Sequence, residues 1–191
     1  MQASGSVAEM IPAPLARRAA WLSLALCLQG CASLSERECR GQDWYKIGFD
    51  DGYDGSASTR LAAHHDACTE YGITPDAGQY EAGRRDGLVH YCTVARGFEI
   101  GRQGLQYGGG CPTGSEREFL RGHELGRRFY GIDHRLARIE EELRSYRARL
   151  GSADLDENQQ RRLQALIRDL EFERSRLESD RRHLEWELRR L

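Results

Sequence analysis

Leucines recur at every seventh residue in the C-terminal part of the chain, at Leu163, Leu170, Leu177, Leu184 and Leu191. A seven-residue apolar repeat describes one face of a helix that packs along another helix. A second apolar run precedes it in steps of three and four residues, at Leu136, Ile139, Leu143, Tyr146 and Leu150. The two runs predict two long helices in contact.

A short break separates the two runs. Gly151-Ser152-Ala153 interrupts the first helix, and Asp154 and Glu157 have the spacing of a capping box that starts the second. So short a connection favours an antiparallel hairpin within one chain over residues 133–191, rich in Arg and Glu. The same seam is also suited to a homo-oligomer formed through the coiled coil.

Two aromatic residues lie off this seam. Phe172 and Trp186 are two heptads apart, and each comes two residues after a seam leucine. Packing against the first helix or a second chain explains them as well as docking on a partner does. Because exposed aromatic side chains anchor protein interfaces, we take both as candidate partner-binding residues.

A glycine pattern recurs upstream of the hairpin. Its copies are Tyr45-x-x-Gly48-x-x-x-Gly52, Tyr80-x-x-Gly83-x-x-x-Gly87 and Phe119-x-x-Gly122-x-x-x-Gly126. These offsets fall on one stripe of an α-helix, while a fourth candidate, Phe98-x-x-Gly101, loses the spacing afterwards. Glycine within a helix costs about 1 kcal/mol against alanine. The six glycines therefore predict close helix–helix packing with aromatic rings in the glycine notches, which we prefer to a ligand-binding role.

The N-terminal residues resemble an export signal. Arg17-Arg18 precede the apolar run 19–28, which is too short to span a bilayer and ends in Leu28-Gln29-Gly30-Cys31. This end resembles a lipobox, in which a cysteine carries the lipid, although Gln29 departs from the usual pattern. We expect residues 1–30 to be a signal peptide and Cys31 to be lipidated; ordinary cleavage that leaves Cys31 unmodified is the alternative. Ala32 favours, by analogy, an outer-membrane lipoprotein facing the periplasm.

Four further cysteines follow the anchor: Cys39, Cys68, Cys92 and Cys111. An even number in an exported chain predicts two disulfides. We favour Cys39–Cys68, because two consecutive antiparallel helices would bring these residues to the same end, and Cys92–Cys111, because they are close in sequence. The two other connectivities stay open.

The residues offer little evidence for catalysis or metal binding. The carboxylates of Asp50, Asp51 and Asp54 lack the spacing of a calcium loop, and we assign neither a metal nor another cofactor. His64 and Asp66 could serve a hydrolase, but no catalytic motif accompanies them. With 28 basic and 30 acidic residues, the chain also lacks the positive charge that nucleic-acid binding needs.

A family resemblance rests on an ordered set of short motifs. They are Cys39, Asp43-Trp44-Tyr45-x-x-Gly48-x-x-Asp51-Gly52, His64-x-x-x-Cys68, Gly87-Leu88-x-x-Tyr91-Cys92 and Gly97-Phe98…Cys111-Pro112. Over roughly residues 31–130 the chain resembles DUF2799, a family of Gram-negative lipoproteins of unknown function. The resemblance implies export and a four-cysteine head, and it adds no activity.

The sequence thus predicts an all-α protein with a small disulfide-stapled head, residues 31–132, followed by a long antiparallel hairpin. We expect a membrane-anchored structural or adaptor protein of the cell envelope that presents the hairpin to a protein partner. A head that binds a small ligand or an envelope glycan is the first alternative. A hydrolase is the second.

Lipidation is directly testable. Cys31→Ser should leave an unprocessed precursor without acyl label, because the thiol is the attachment point for the lipid. Metabolic labelling with a fatty acid, followed by electrophoresis of the membrane fraction, measures this. Normal labelling of the variant would contradict the lipobox assignment.

Overall fold

The computed structural model describes residues 33–41, 43–152 and 154–191. Within these segments the chain forms seven helices and no strand, which confirms the all-α prediction. The helices are α1 (Glu36–Gly41), α2 (Trp44–Tyr53), α3 (Arg60–Thr69), α4 (Ala77–Tyr91), α5 (Val94–Arg102), α6 (Thr113–Leu150) and α7 (Glu157–Leu188). The predicted signal peptide and Cys31 lie outside the described residues.

Helices α2 and α4 pack through their glycines. A Cβ atom on Gly48 would overlap the backbone carbonyl of Tyr80, and one on Gly52 would overlap that of Arg84. Both contact positions advance by four residues in the same direction, so the two helices run parallel, with α3 carrying the chain back between them. Only a residue without a side chain permits this approach.

The contact is reciprocal. Gly83 and Gly87 of α4 lie against the backbone carbonyls of Tyr45 and Phe49 on α2. At such short range the glycine Cα–H groups can contact carbonyl oxygens directly, a weak interaction that repeats along the interface. The two backbones therefore touch over two helical turns.

Helices α5 and α6 repeat the same arrangement. Gly97 and Gly101 lie against the carbonyls of Phe119 and His123. In return, Gly122 and Gly126 lie against those of Val94 and Phe98. The expectation that the copy around Gly101 loses the spacing was wrong, because its glycine pair begins one residue before Phe98, at Gly97, with Val94 in place of the aromatic residue.

The turns after α2 and α5 show that the head consists of two copies of one unit. Gly55 and Gly104, each three residues after the last notch glycine, have φ values of +70° and +77°. A Cβ on Gly55 would meet the ring of Tyr91, and one on Gly104 the ring of Tyr130. These rings pack over the turn glycines. The helical notches hold carbonyls, so the prediction of rings in the notches was wrong.

Both disulfides are present in the favoured pairing. Cys39–Cys68 joins α1 to the end of α3, with the Cα atoms 5.5 Å apart. Cys92–Cys111 ties the end of α4 to the start of α6, with the Cα atoms 5.6 Å apart. Each bond lies in an apolar cluster, the first beside Trp44 and Tyr80 and the second beside Phe119.

The C-terminal helices form the predicted hairpin. Ile139 and Leu143 of α6 pack on Leu170 of α7. Nearer the head, Leu125 and Phe129 of α6 pack on Leu184. Because contacts near the end of α7 meet the early part of α6, the two helices are antiparallel. The capping box that starts α7 is formed by Asp156 and Gln159. The predicted box at Asp154 and Glu157 was wrong, because helix α7 begins two residues later than that spacing implies.

Head and hairpin share helix α6. Its 38 residues run without interruption from Thr113 to Leu150, a length of about 57 Å at 1.5 Å per residue. The predicted boundary between residues 132 and 133 lies inside this continuous helix, and Leu125 and Phe129 on its head side already pack on Leu184 of α7. Hairpin and head are therefore joined without a break in helical structure.

The two arginines on the seam of α7 reach across to acids of α6. Arg174 contacts Glu140 at 3.1 Å and Arg181 contacts Asp133 at 2.9 Å, and both side chains are half-buried. Their aliphatic stems pack along the seam while the guanidinium groups stay at its edge, as the sequence predicts.

The notch glycines offer a stability test with a control in the same helix. Gly126→Ala should destabilise the protein by several kcal/mol, because the added Cβ displaces the Phe98 carbonyl. Gly131→Ala, also in α6 but with nothing within 4 Å of its Cβ position, should stabilise by up to about 1 kcal/mol. Thermal and urea unfolding of both variants measures this. Equal unfolding midpoints for the two variants would exclude a close backbone contact at Gly126.

Candidate functional site

His64 lies at the centre of a buried polar network. Its ring is 1% exposed. Its Nε2 atom is 2.7 Å from Oδ2 of Asp51, and its Nδ1 atom is 2.9 Å from Oγ of Ser33. The hydroxyl of Tyr80 donates a hydrogen bond to the same Asp51 oxygen at 2.7 Å. Helices α3 and α4 thus meet α2 at one carboxylate, and the N-terminal stretch joins the network through the His64 ring.

The network keeps Asp51 charged. Burial raises the pKa of Asp51, but the hydrogen bonds from His64 and Tyr80, together with the nearby Arg60, outweigh burial and hold that pKa below its ordinary value. Burial and the hydrogen bond to Asp51 raise the pKa of the Tyr80 hydroxyl far above its usual range. Tyr80 is therefore a permanent donor, and Asp51 a permanent acceptor, at neutral pH.

The structure does not assemble the hydrolase candidate. The Asp66 side chain is 86% exposed and touches only its neighbour His65, at 3.7 Å. The carboxylate that pairs with His64 is Asp51, which the sequence analysis names in a family motif and rejects as part of a calcium loop but does not single out as the partner of this histidine. The hydroxyl of Ser33, the imidazole of His64 and the carboxylate of Asp51 are in line, and the His64 ring between them is buried.

Comparison of the two repeats explains the network. The positions of Asp51 and Tyr80 in the first unit correspond to Ile100 and Phe119 in the second, judged by their offsets from the notch glycines. There the same positions form an apolar cluster with Tyr91, whose ring stacks on Phe119 at 4.9 Å. Apolar residues that pack together in the second unit thus stand at the positions of the polar residues in the first. What the first unit gains is a hydrogen bond to Ser33.

Ser33 connects the network to the N-terminus. It stands two residues after Cys31, Leu34 is buried in the first cluster, and Cys39 is disulfide-bonded. The chain thus joins the packed head immediately after the predicted lipidation site. Two extended residues span about 7 Å, which is the reach between Cys31 and the fixed head.

Other polar residues of the head have different environments. Arg84 is 4% exposed, and its Nη1 atom has no hydrogen-bond partner among the described residues. His123, the equivalent of Arg84 in the second unit, bonds the carbonyl of Leu105 at 2.8 Å.

A shallow cleft lies where α4 meets α5. It is lined by Tyr53, His90, Thr93, Ala95, Arg96 and Glu99 and measures about 300 Å³. Arg96 is already paired with Glu99 at 3.1 Å. The cleft therefore offers two aromatic rings, with the charge of its arginine neutralised.

The two aromatic candidates of the hairpin do not pack on α6. Phe172 is 75% exposed. Trp186 is 47% exposed, and it contacts its own helix, with the guanidinium of Arg190 4.3 Å from the ring centroid and His183 stacked at 5.8 Å. Both side chains are accessible from solvent on the face of α7 turned away from α6.

These features define an all-helical protein with a duplicated, glycine-packed and disulfide-bonded head and a fused helical hairpin. The family model for a protein of unknown function, DUF2799, matches residues 43–128. The match lies within the head and agrees with the resemblance that the sequence motifs indicate. No curated protein and no solved structure matches the chain. Among the helices that the structure describes, none is long and apolar enough to cross a membrane.

The carboxylate at the centre of the network should give the stability a pH dependence. Because the pKa of Asp51 is lowered on folding, its contribution is complete above the ordinary pKa of about 3.8 and is lost as the pH falls through the lower folded value. Asp51→Asn should lower the free energy of unfolding by about 1–3 kcal/mol at pH 7, since two buried donors lose a charged acceptor. The deficit should shrink at pH 3.

The matched control is Asp66→Asn, which changes an exposed carboxylate in the neighbouring helix. It should leave the free energy of unfolding nearly unchanged across the same pH range. Urea unfolding at several pH values measures both variants. A deficit for Asp51→Asn that stays constant from pH 7 to pH 3 would exclude the carboxylate as its source.

Proposed function

We propose that this protein is a lipid-anchored, non-enzymatic adaptor of the bacterial cell envelope that presents its α6–α7 hairpin to a protein partner. The observation that carries the proposal is the continuity of α6, which serves as a core helix of the head and as the first helix of the arm. A binding arm on a flexible joint would need a break at this point. Here the arm has a fixed direction relative to the head.

The anchor is proposed from the motif ending at Cys31 and from the disulfides, which persist in oxidising compartments. In this proposal the protein is an outer-membrane lipoprotein that faces the periplasm. The short connection through Ser33 supports a fixed placement, because the head would lie close to the lipid surface. Head and arm together would hold a partner at a set distance from the membrane.

The arm is long enough to act at a distance. Leu184 packs on the head, and α7 starts at Glu157, so about 27 residues, or about 40 Å of helix, extend from the head contact. The seam between α6 and α7 is filled within the chain by apolar residues and ion pairs. A homo-oligomer would therefore have to use another face of the hairpin.

A second candidate function is supported by the cleft between α4 and α5. Tyr53 and His90 line it with ring centroids 6.0 Å apart and planes tilted by 47°, and a planar or sugar ring could stack on either of them from the cleft. In this alternative the head binds a small ligand or an envelope glycan. Tyr53→Ala would then remove binding, while the hairpin would be dispensable.

The arm is tested by the double variant Phe172→Ala/Trp186→Ala. Capture of a partner from detergent-solubilised envelopes should fall at least about tenfold, because two exposed aromatic anchors each typically contribute about 2 kcal/mol to an interface. Helicity by circular dichroism should stay the same, because neither side chain packs on α6. Quantitative mass spectrometry of the captured proteins measures the loss.

Leu166→Ala is the matched control. Leu166 is an exposed apolar residue of the same helix, on a different side from Phe172, and capture should be unaffected. Unchanged capture by the double variant would return the binding surface to the head. A loss of helicity in the double variant would instead mean that the aromatic residues support the fold.

A further inference from the structure

Helix α7 carries a second regular stripe opposite its seam. The stripe consists of residues in steps of four, three, four, three and four: Arg168, Phe172, Ser175, Ser179, Arg182 and Trp186. At about 100° per residue these positions share one side of the helix, roughly 150° from the seam leucines. All six are exposed. We call this set the outer stripe.

Ion pairing separates the charges of α7. Three of its glutamates pair with arginines of α6: Glu171 with Arg147, Glu173 with Arg135 and Glu187 with Arg128. Two more pair with the seam arginines beside them: Glu178 with Arg174 and Glu185 with Arg181. These five acids are therefore used at the α6 side of the helix.

Several arginines on the side of α7 turned away from α6 have no acidic partner among the described residues. Arg168, Arg176 and Arg182 form no ion pair within the described part of the chain, and Arg190 lies over the Trp186 ring. The outer stripe itself thus carries two arginines and no acid, in a chain whose formal net charge is −2, and the exposed Asp169 and Asp180 lie roughly 100° or more from it around the helix. A surface of this kind attracts an acidic partner and repels a basic one.

The shape of the outer stripe favours a helix over a flat surface. Phe172 and Trp186 stand about 21 Å apart, at 1.5 Å per residue, with the small Ser175 and Ser179 between them. Two large side chains on either side of two small ones leave room for the side chains of a partner helix with the same seven-residue spacing. A membrane-binding face would instead need a continuous apolar surface, which the serines and arginines interrupt.

We infer that the outer stripe is the docking face for an acidic amphipathic helix of a protein partner, which lies along α7 as the third helix of a bundle. Its apolar residues would pack between and against Phe172 and Trp186, and its flanking carboxylates would pair with the arginines that α6 leaves free. This inference rests on the proposed function, since it specifies the chemistry of the partner that the arm binds.

The test places a photo-crosslinking amino acid at Ser179 of the full chain in intact cells. A second version carries it at Val89, which is 69% exposed on the head. The crosslinked peptide is identified by mass spectrometry. The expected result is an adduct at Ser179 with a segment of another protein that has an excess of Asp and Glu and apolar residues at seven-residue spacing.

Charge variants test the role of the arginines. Arg168→Glu/Arg182→Glu should reduce the Ser179 adduct at least about tenfold, because like charges then face each other. The neutral pair Arg168→Gln/Arg182→Gln should give a smaller loss. The matched control is Arg138→Glu/Arg149→Glu, which reverses two exposed arginines of α6 and should leave the adduct unchanged.

Each other outcome overturns the inference in a recognisable way. A Ser179 adduct with a segment that has no acidic excess, or one that survives Arg168→Glu/Arg182→Glu in a helical protein, removes the acidic helix but leaves the arm as the binding element. An adduct with phospholipid, or with a second copy of this chain, would mean that the outer stripe binds that molecule and not an acidic helix of another protein. Adducts from Val89 alone, or from neither position, overturn the proposed function as well.

Discussion

Direct contact between glycine Cα atoms and backbone carbonyls sets the geometry of the head. In each repeat, four glycines on two parallel helices remove every side chain from the contact line, so the helices approach until their backbones touch. This close approach fixes the register of each pair, because a shift by one residue would place a side chain where only a hydrogen atom fits. The apolar clusters and both disulfides then form around the two fixed pairs.

A chain of contacts connects Ser33 to the hairpin through this framework. Ser33 is bonded to His64, His64 to Asp51 on α2, and α2 is locked to α4 by glycines. The second repeat continues the connection, since its α6 also forms half of the hairpin. Hydrogen bonds, glycine contacts and one continuous helix thus connect Ser33 to the arm.

The ion pairs of the hairpin have two effects, one on the seam between its helices and one on the charge of its outer face. Its seam is short of apolar residues, because Arg174 and Arg181 occupy seam positions, and acids of α6 offset them with ion pairs at the edge. Exposed ion pairs stabilise little individually, so apolar packing around Ile139, Leu143 and Leu170 holds the helices together. The main consequence of the pairing is the distribution of charge. Five glutamates of α7 form ion pairs on the side that faces α6, and Arg168 and Arg182 stay on the outer side with the two exposed aromatic residues.

Periodic features of the chain were readable in advance because they depend on neighbours along a helix. The seven-residue leucine repeat predicted the hairpin, the glycine spacing predicted close helix packing, and the even number of cysteines after Cys31 predicted two disulfides. Features that join distant segments were not readable. Nothing local distinguishes Asp51 from an exposed aspartate, and only its pairing with His64 and Tyr80 makes it the centre of a network. The copy that begins at Gly97 does not match the glycine pattern in the sequence, because Val94 stands where the other copies have an aromatic residue. The sequence by itself determined which residues share a helix face. Which face meets which, and therefore what is buried and what is left exposed on α7, was decided by tertiary packing, since that depends on contacts between residues far apart in the chain.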